Sequence, residues 1–432
     1  MSWQARYHWR RFVLSSLWVP PVASMVLALI VAPVVRRVDE RTQWTLLGFG
    51  LDGAKALTGA LSSTLLTLIV FAFSILLLAV QVAGGQLSPR VIARVFEGRL
   101  SKSTLSTFVF SYTFSLAALG RVEGRVPQLP VMLVVVASLL GIGLFIGLIQ
   151  AAAHNLRPVA VLTGVAGDTR AAIEAVYPRP FEPASGRNVG VEFDSTRAER
   201  SIEHRGRSGV LLAFNTGGLT DIANQAGCVV ELVPQVGDFL ATGGEVFRLH
   251  GGGATAVDEG SLHRCVALGS EGALENNPAF GLRVIVEIAG KALSPAINDP
   301  ATGVLAIDQL EHLLHLLSQR QLDSGVVRDA SGTVRLVYRS PRWEDFVALA
   351  VTEIRLYGAT SPETSRRLCA MLEHLLEVVP AERARPIEEE MALLVSTIER
   401  SFADPADRRR AAVADRQGFG SPARRACRSP RA

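Results

Sequence analysis

Ala56-Leu-Thr-Gly-Ala-Leu-Ser-Ser-Thr-Leu-Leu-Thr-Leu-Ile-Val-Phe-Ala-Phe-Ser-Ile-Leu-Leu-Leu-Ala-Val-Gln-Val-Ala83 runs for 28 residues without one charge. A helix needs about 20 predominantly apolar residues to cross a bilayer's hydrocarbon core. In lipid the helix satisfies every backbone polar group internally, so a run of this kind predicts a transmembrane helix. Three more uncharged apolar runs flank it: Phe12 to Val35, Thr104 to Leu119 and Pro130 to Ala153. The third run in chain order is short but continues a polar-flanked helical pattern. The expectation is an integral membrane protein with four N-terminal spans at about 12–35, 56–83, 104–119 and 130–153, and the lipid bilayer as its first partner. The spans lack the intramembrane Asp, Glu, Lys, Arg or His on which proton relays, ion-coupled carriers and voltage sensors are usually built.

Basic residues near the spans orient them. Arg6, Arg10 and Arg11 precede the first, Arg90, Arg94, Arg99 and Lys102 lie between the second and third, and Arg157 and Arg170 follow the fourth. The opposite side has Arg36, Arg37, Arg41, Lys55, Arg121 and Arg125. The slight excess places both termini of this multi-pass chain in the cytosol. The first span is too long for a signal-peptide core and lacks a small-x-small exit. Ser88-Pro89 reads as an N-cap followed by Pro at the first helical position, opening a short basic amphipathic or plain connecting helix.

Past residue 155 the chain reads as ordinary globular protein. Helix continues to Val176 with a break at Arg157-Pro158. Residues 156–185 form a connector, 186–268 a small β unit, 269–402 a mainly helical domain and 403–432 a disordered basic tail. The β unit rests on the runs 189–193, 210–214, 228–233, 246–250 and 262–268, punctuated by Gly237-Asp238 and Gly243-Gly244. The fold class is therefore α+β: four transmembrane helices, a soluble small β barrel or sandwich, and an α-helical C-terminal domain with helices at 343–357, 362–379 and 382–402.

The net charge of +4 is spread over 44 basic and 40 acidic residues, so no nucleic-acid partner is expected. Cys228, Cys265, Cys369 and Cys427 make no C-x-x-C pair, which suggests neither a zinc site nor a disulfide framework. Gly48-Phe-Gly-Leu-Asp-Gly53 matches a dinucleotide fingerprint in spelling, without the strand–turn–helix context the chemistry needs. Glu311, His312 and His315 lack zincin spacing and a third ligand. The turn at Gly237-Asp238-Phe239 resembles that of biotinyl- and lipoyl-type barrels, but the β unit has no lysine to modify. No metal, no cofactor and no enzyme activity is expected, because no catalytic constellation stands out.

One run organises the C-terminal half: Lys291-Ala-Leu-Ser-Pro-Ala-Ile-Asn-Asp-Pro300-Ala-Thr302. Ser294-Pro295 reads as one cap-plus-Pro helix start and Asp299-Pro300 as a second, with Asp299 the N-cap and Pro300 at N1. Together with Gln86-Leu-Ser-Pro-Arg90 and Pro278-Ala-Phe-Gly-Leu-Arg283, the run resembles a bacterial family of predicted membrane proteins catalogued as domain of unknown function 2254. The resemblance covers the chain up to about residue 402. It implies a bacterial inner (plasma) membrane protein with four N-terminal spans and a soluble C-terminal part, and it implies no activity. Its motif residues here are Ser88, Pro89, Arg90, Arg283, Ser294, Pro295, Asn298, Asp299 and Pro300. Two departures stand out: Ala296 where the family usually has Gly, and Asn276-Asn277 where Gln-Asp is usual.

The membrane part carries one positive signal. Ser63, Thr67, Ser74 and Gln81 recur near a seven-residue interval on one stripe of the second span, and Thr104, Thr107, Ser111 and Ser115 do the same in the third. Gly143-x-x-x-Gly147 offers a close-packing face in the fourth. Small polar stripes let helices approach in lipid. They also line aqueous paths without fixed charge. The leading expectation is a homo-oligomeric channel or permeation pathway with a cytosolic regulatory domain. The alternative is a non-conducting scaffold or sensor that binds a partner through its cytosolic domains.

Overall fold

The computed structural model describes residues 3–42, 50–86, 98–119, 127–183, 198–270 and 277–418. The chain divides into two compact units, Trp9–Val161 and Leu162–Ala432, the second also taking Met1–His8.

Among the described residues the first unit is helical: α1 (Trp3–Ser15), which begins in the other unit, then α2 (Val19–Thr42), α3 (Leu51–Gln86), α4 (Arg99–Leu119) and α5 (Gln128–Asn155). α2, α3 and α5 are long and apolar enough to cross a membrane. α4 is not, by hydropathy. With 21 residues it spans about 31 Å at 1.5 Å per residue, so its length is adequate and its composition is the reason. The buried residues of α4 are Ser101, Thr104, Leu105, Phe108, Ser111, Phe114 and Ser115, mostly spaced three or four apart on one face. That face packs against α2, α3 and α5. The hydroxyls that lower its hydropathy are thus spent inside the bundle. Across the helices, the Ser62 and Ser115 hydroxyls share a 2.7 Å hydrogen bond, and Thr104 Oγ1 lies 3.3 Å from the Leu144 carbonyl. Asp39, near the end of α2, accepts the Leu129 backbone N–H at 2.8 Å and so caps the start of α5. Gly141 is the close-packed glycine of α5: an added Cβ would stand 2.8 Å from the Phe108 ring. The expected pair behaves differently, since Gly147 meets Leu100 at 3.6 Å and Gly143 has nothing within 4 Å.

In the second unit α6 (Pro158–Val176) starts where Pro158 denies an N–H to the preceding helix. The strands are β1 (Arg200–Glu203), β2 (Gly209–Phe214), β3 (Val229–Leu232), β4 (Phe239–Leu240), β5 (Glu245–His250), β6 (Val266–Gly269), β7 (Val326–Arg328) and β8 (Val334–Tyr338). They form a five-stranded sheet ordered β1-β5-β3-β8-β7 and a three-stranded sheet ordered β4-β2-β6. Among the described residues these are two separate sheets, not a closed barrel. The β unit also does not end at residue 268, because β8 pairs in parallel with β3, with Val230 opposite Leu336. The two sheets enclose one apolar core that includes Ile202, Leu211, Val230, Phe247, Leu249 and Leu336. Two short helices cover it, α7 (Thr216–Ala226) and α8 (Glu259–His263).

The C-terminal region is helical: α9 (Pro278–Ala292), α10 (Pro300–Ser318), α11 (Trp343–Tyr357), α12 (Pro362–Val378), α13 (Ala384–Ser401) and α14 (Pro405–Ala411). Its core is built from the apolar stripes of these helices, including Ile285, Leu314, Val347, Leu372 and Leu394. Buried Arg383 donates to the Leu317 and Arg320 carbonyls at 2.7 and 2.8 Å, closing the end of α10. Burial lowers its pKa to about 10, still far above neutral. Disorder was expected over residues 403–432; residues 403–418 are ordered instead, and 419–432 lie outside the described residues. Asp404 caps α14, Ala411 and Asp415 are buried, and Arg366 donates to the Arg410 and Gly418 carbonyls at 2.7 and 3.0 Å. The arginine content of the segment masked this ordered stretch.

Candidate functional site

On α3 the four stripe residues Ser63, Thr67, Ser74 and Gln81 are all exposed on the surface of the membrane unit. The opposite face, with Leu65, Ala72, Leu76 and Ala79, is buried in the bundle. The helix therefore turns its polar stripe outward, inside a wider exposed surface of Leu66, Val70, Phe71, Phe73, Leu77 and Leu78. Ser63, Thr67 and Ser74 bond back to the carbonyls four residues earlier, at 3.2, 3.0 and 2.9 Å. Such back-bonding satisfies a hydroxyl whether it faces lipid or water. The α4 stripe points the other way: Thr104, Ser111 and Ser115 are fully buried and Thr107 is half-buried. Within one chain the structure does not bring the two stripes together, and α4's is a packing face. Any aqueous path lined by α3 requires neighbouring copies.

The signature run forms a corner between α9 and α10. Ser294-Pro295 does not start a helix. It closes α9, with Ser294 Oγ donating to the Lys291 carbonyl at 2.6 Å. The chain then turns through Asn298, whose φ of 49° makes it the one non-glycine residue with positive φ among those described. Asn tolerates this left-handed conformation better than other residues with a Cβ. The Asp299 backbone N–H donates to the Ala292 carbonyl at 2.8 Å, and its carboxylate accepts from the Thr302 N–H at 3.1 Å and the Thr302 hydroxyl at 2.6 Å. Pro300 follows at the first helical position. Asn277 caps α9 through Phe280 N at 3.1 Å, a role that Asn and Asp perform alike, so the missing carboxylate changes little locally. Ala296 needs no positive φ, so it fits where glycine is usual. Arg283 is exposed, and Ser88, Pro89 and Arg90 lie outside the described residues. Asp299→Ala is expected to cost about 1 kcal/mol of stability and Asp299→Ser to restore most of it. Thermal unfolding of the detergent-solubilised protein checks this.

The histidine-bearing helix resolves into an ion-pair network. Glu311 accepts from Arg367 and, at 2.5 Å, from His374, while Arg367 Nε donates to Asp308 at 2.6 Å. His315 packs edge-on to His374 at 6.2 Å, and His312 is exposed. Glu311 is thus committed to partners on α12.

In the β unit, His204, Arg205, Glu259, His263, Arg264 and Val266 are among the residues lining a surface cleft of about 400 Å³. Sequence reasoning missed it. Its residues come from three separated segments, and the helix that supplies Glu259 and His263 falls inside or beside a run read as strand. Asp258 was the available signal: it caps α8 by accepting the Gly260 and Ser261 N–H groups.

Residues 14–374 match the family described as "Predicted membrane protein (DUF2254)". The chain belongs to this family. Relatives include an uncharacterized protein of Mycobacterium bovis and two of Mycobacterium tuberculosis, strains H37Rv and CDC 1551. Each is 25% identical over 413 residues, which cover 92% of this chain and 79% of the relative. No solved structure matches. The family assignment and the apolar helices agree: this is a predicted membrane protein of mixed α+β fold.

Proposed function

We propose that the protein is a homo-oligomeric channel or permeation pathway of the bacterial inner membrane, with four spans, both termini cytosolic and a cytosolic regulatory domain. The observation that carries this reading is the outward polar stripe of α3, opposite a face fully engaged in the bundle. In an oligomer, Thr67 and Ser74 of neighbouring copies would line a path whose hydroxyls and amides pass solute without a fixed charge. α4 acts as the fourth span, its hydroxyl face shielded by α2, α3 and α5. The slight excess of basic residues in α1, between α3 and the first turn of α4, and after α5 supports the orientation. Neither catalysis nor nucleic-acid binding enters this reading.

Single cysteines at Ser63, Thr67, Ser74 and Gln81, with the native cysteines replaced, are expected to react with a small water-soluble thiol reagent. Cysteines at Leu65, Ile69, Leu76 and Val80 are expected to stay protected, since the reactive thiolate forms where water solvates it. Protection at both Thr67 and Ser74 would remove the path. The second reading, a non-conducting sensor, draws on the cleft of the β unit.

A further inference from the structure

The first apolar run does not form one helix. α1 ends at Ser15, the chain bends through Ser16-Leu17-Trp18, and α2 starts at Val19. At the break Ser16 Oγ accepts the Val19 N–H at 3.4 Å. The span therefore begins at Val19, and α1 is a separate helix of 13 residues just ahead of it. At 1.5 Å per residue it is about 20 Å long, too short to cross a hydrocarbon core of about 30 Å.

Its composition is unusual for so short a helix. Trp3, Tyr7, Trp9 and Phe12 are aromatic, and Arg6, Arg10 and Arg11 are basic. No acidic residue precedes Asp39 in the chain, so no neighbouring carboxylate in the sequence offsets that charge. Trp3 and Tyr7, four apart, stack at 5.6 Å and are half-buried. Arg6, Trp9 and Phe12, three apart, form an exposed stripe. The Trp9 and Phe12 residues are 63% and 52% exposed. Trp18, 58% exposed and edge-on to Phe12 at 5.9 Å, carries the stripe to the start of the span. Exposed indole and phenyl rings beside guanidinium groups suit the headgroup layer of a bilayer: the rings settle at the interface and guanidinium binds phosphate oxygens. A neutral surface would satisfy the rings alone. Three arginines without an acidic neighbour select a negative one.

We propose that α1 lies along the membrane surface and binds the headgroups of anionic phospholipids, with Trp9, Phe12 and Trp18 in the interface and the arginine charge holding phosphate groups beside them. The inference rests on α2 entering the bilayer, and depends on neither conduction nor orientation.

The test uses full-length protein reconstituted in vesicles of equimolar phosphatidylcholine and phosphatidylglycerol. Bromine on the acyl chains of one lipid or the other serves as a contact quencher of tryptophan. In one variant Trp3, Trp18 and Trp44 are replaced by Phe, leaving Trp9 and Trp343. Trp343 is buried in the core of the C-terminal unit and supplies a constant background. A second variant keeps Trp18 in place of Trp9 and reports entry of α2. Brominated phosphatidylglycerol is expected to quench Trp9 more strongly than brominated phosphatidylcholine. The expected preference is about fivefold, the effect of one basic residue at an anionic surface. Arg6→Gln with Arg10→Gln and Arg11→Gln should make the two lipids equal quenchers. Arg6→Lys with Arg10→Lys and Arg11→Lys should keep the preference. Quenching of Trp18 by both lipids and of Trp9 by neither overturns the proposal, because α1 then stands off a membrane that α2 enters. Equal quenching of Trp9 with the arginines intact, or a preference that survives the glutamine substitutions, overturns it too. If neither tryptophan is quenched, α2 stays outside the bilayer and the membrane reading fails together with the proposal.

Discussion

Arg355→Met is expected to lower the stability of the C-terminal unit by about 3–5 kcal/mol, the usual consequence of removing one partner of a buried ion pair. Arg355 and Glu390 are 7% and 9% exposed, with 3.3 Å between Nε and Oε2. The pair is fully served by its neighbours: Arg355 Nη1 donates to the Thr397 hydroxyl at 3.1 Å, and Glu390 accepts from Thr352 at 2.8 Å. Without the arginine, Glu390 is an uncompensated charge between α11 and α13. Adding Glu390→Met should return most of the loss, because two apolar groups of similar volume replace the pair without leaving a charge behind. Chemical denaturation of the single and double variants measures the difference. A double variant no better than the single one would assign the cost to packing.

The second large effect is at Gly253. A Cβ there would stand 1.6 Å from the Ala226 carbonyl oxygen, a backbone atom at the end of α7 that cannot rotate away. Gly253→Ala is expected to cost about 3 kcal/mol or more, the upper end of overpacking penalties. Gly252→Ala is the control. Nothing lies within 4 Å of its Cβ, so its cost should stay within about 0.5 kcal/mol. Equal melting shifts for the two variants would contradict the close approach.

The contrast between these two sites shows what sequence reading reaches. The helices at 343–357, 362–379 and 382–402 were legible from their apolar periodicity. Ser361 before Pro362 and Asp299 before Pro300 are local signals whose geometry is local too. α7 was missed because Gly217-Gly218 lowers helix propensity. Its apolar face of Leu219, Ile222, Ala223 and Ala226 and the Asn215 cap outweigh that loss. The pairing of β3 with β8, more than a hundred residues apart, left no mark in either strand. The stripes of α3 and α4 were equally visible. Their opposite fates, one outward and one buried, depend on which helices pack together, and residue spacing on one helix does not carry that information. The cleft at His263 was hidden for the same reason.

The central claim is conduction, and recording from the purified full-length protein in a planar bilayer tests it most directly. Discrete unitary current steps are expected with the unaltered protein. They are expected to be lost with Ser74→Phe, which places a bulky ring on the outward stripe and leaves the buried face of α3 untouched. A folded, oligomeric protein that produces no steps above a detergent blank, or steps unchanged by Ser74→Phe, would contradict it.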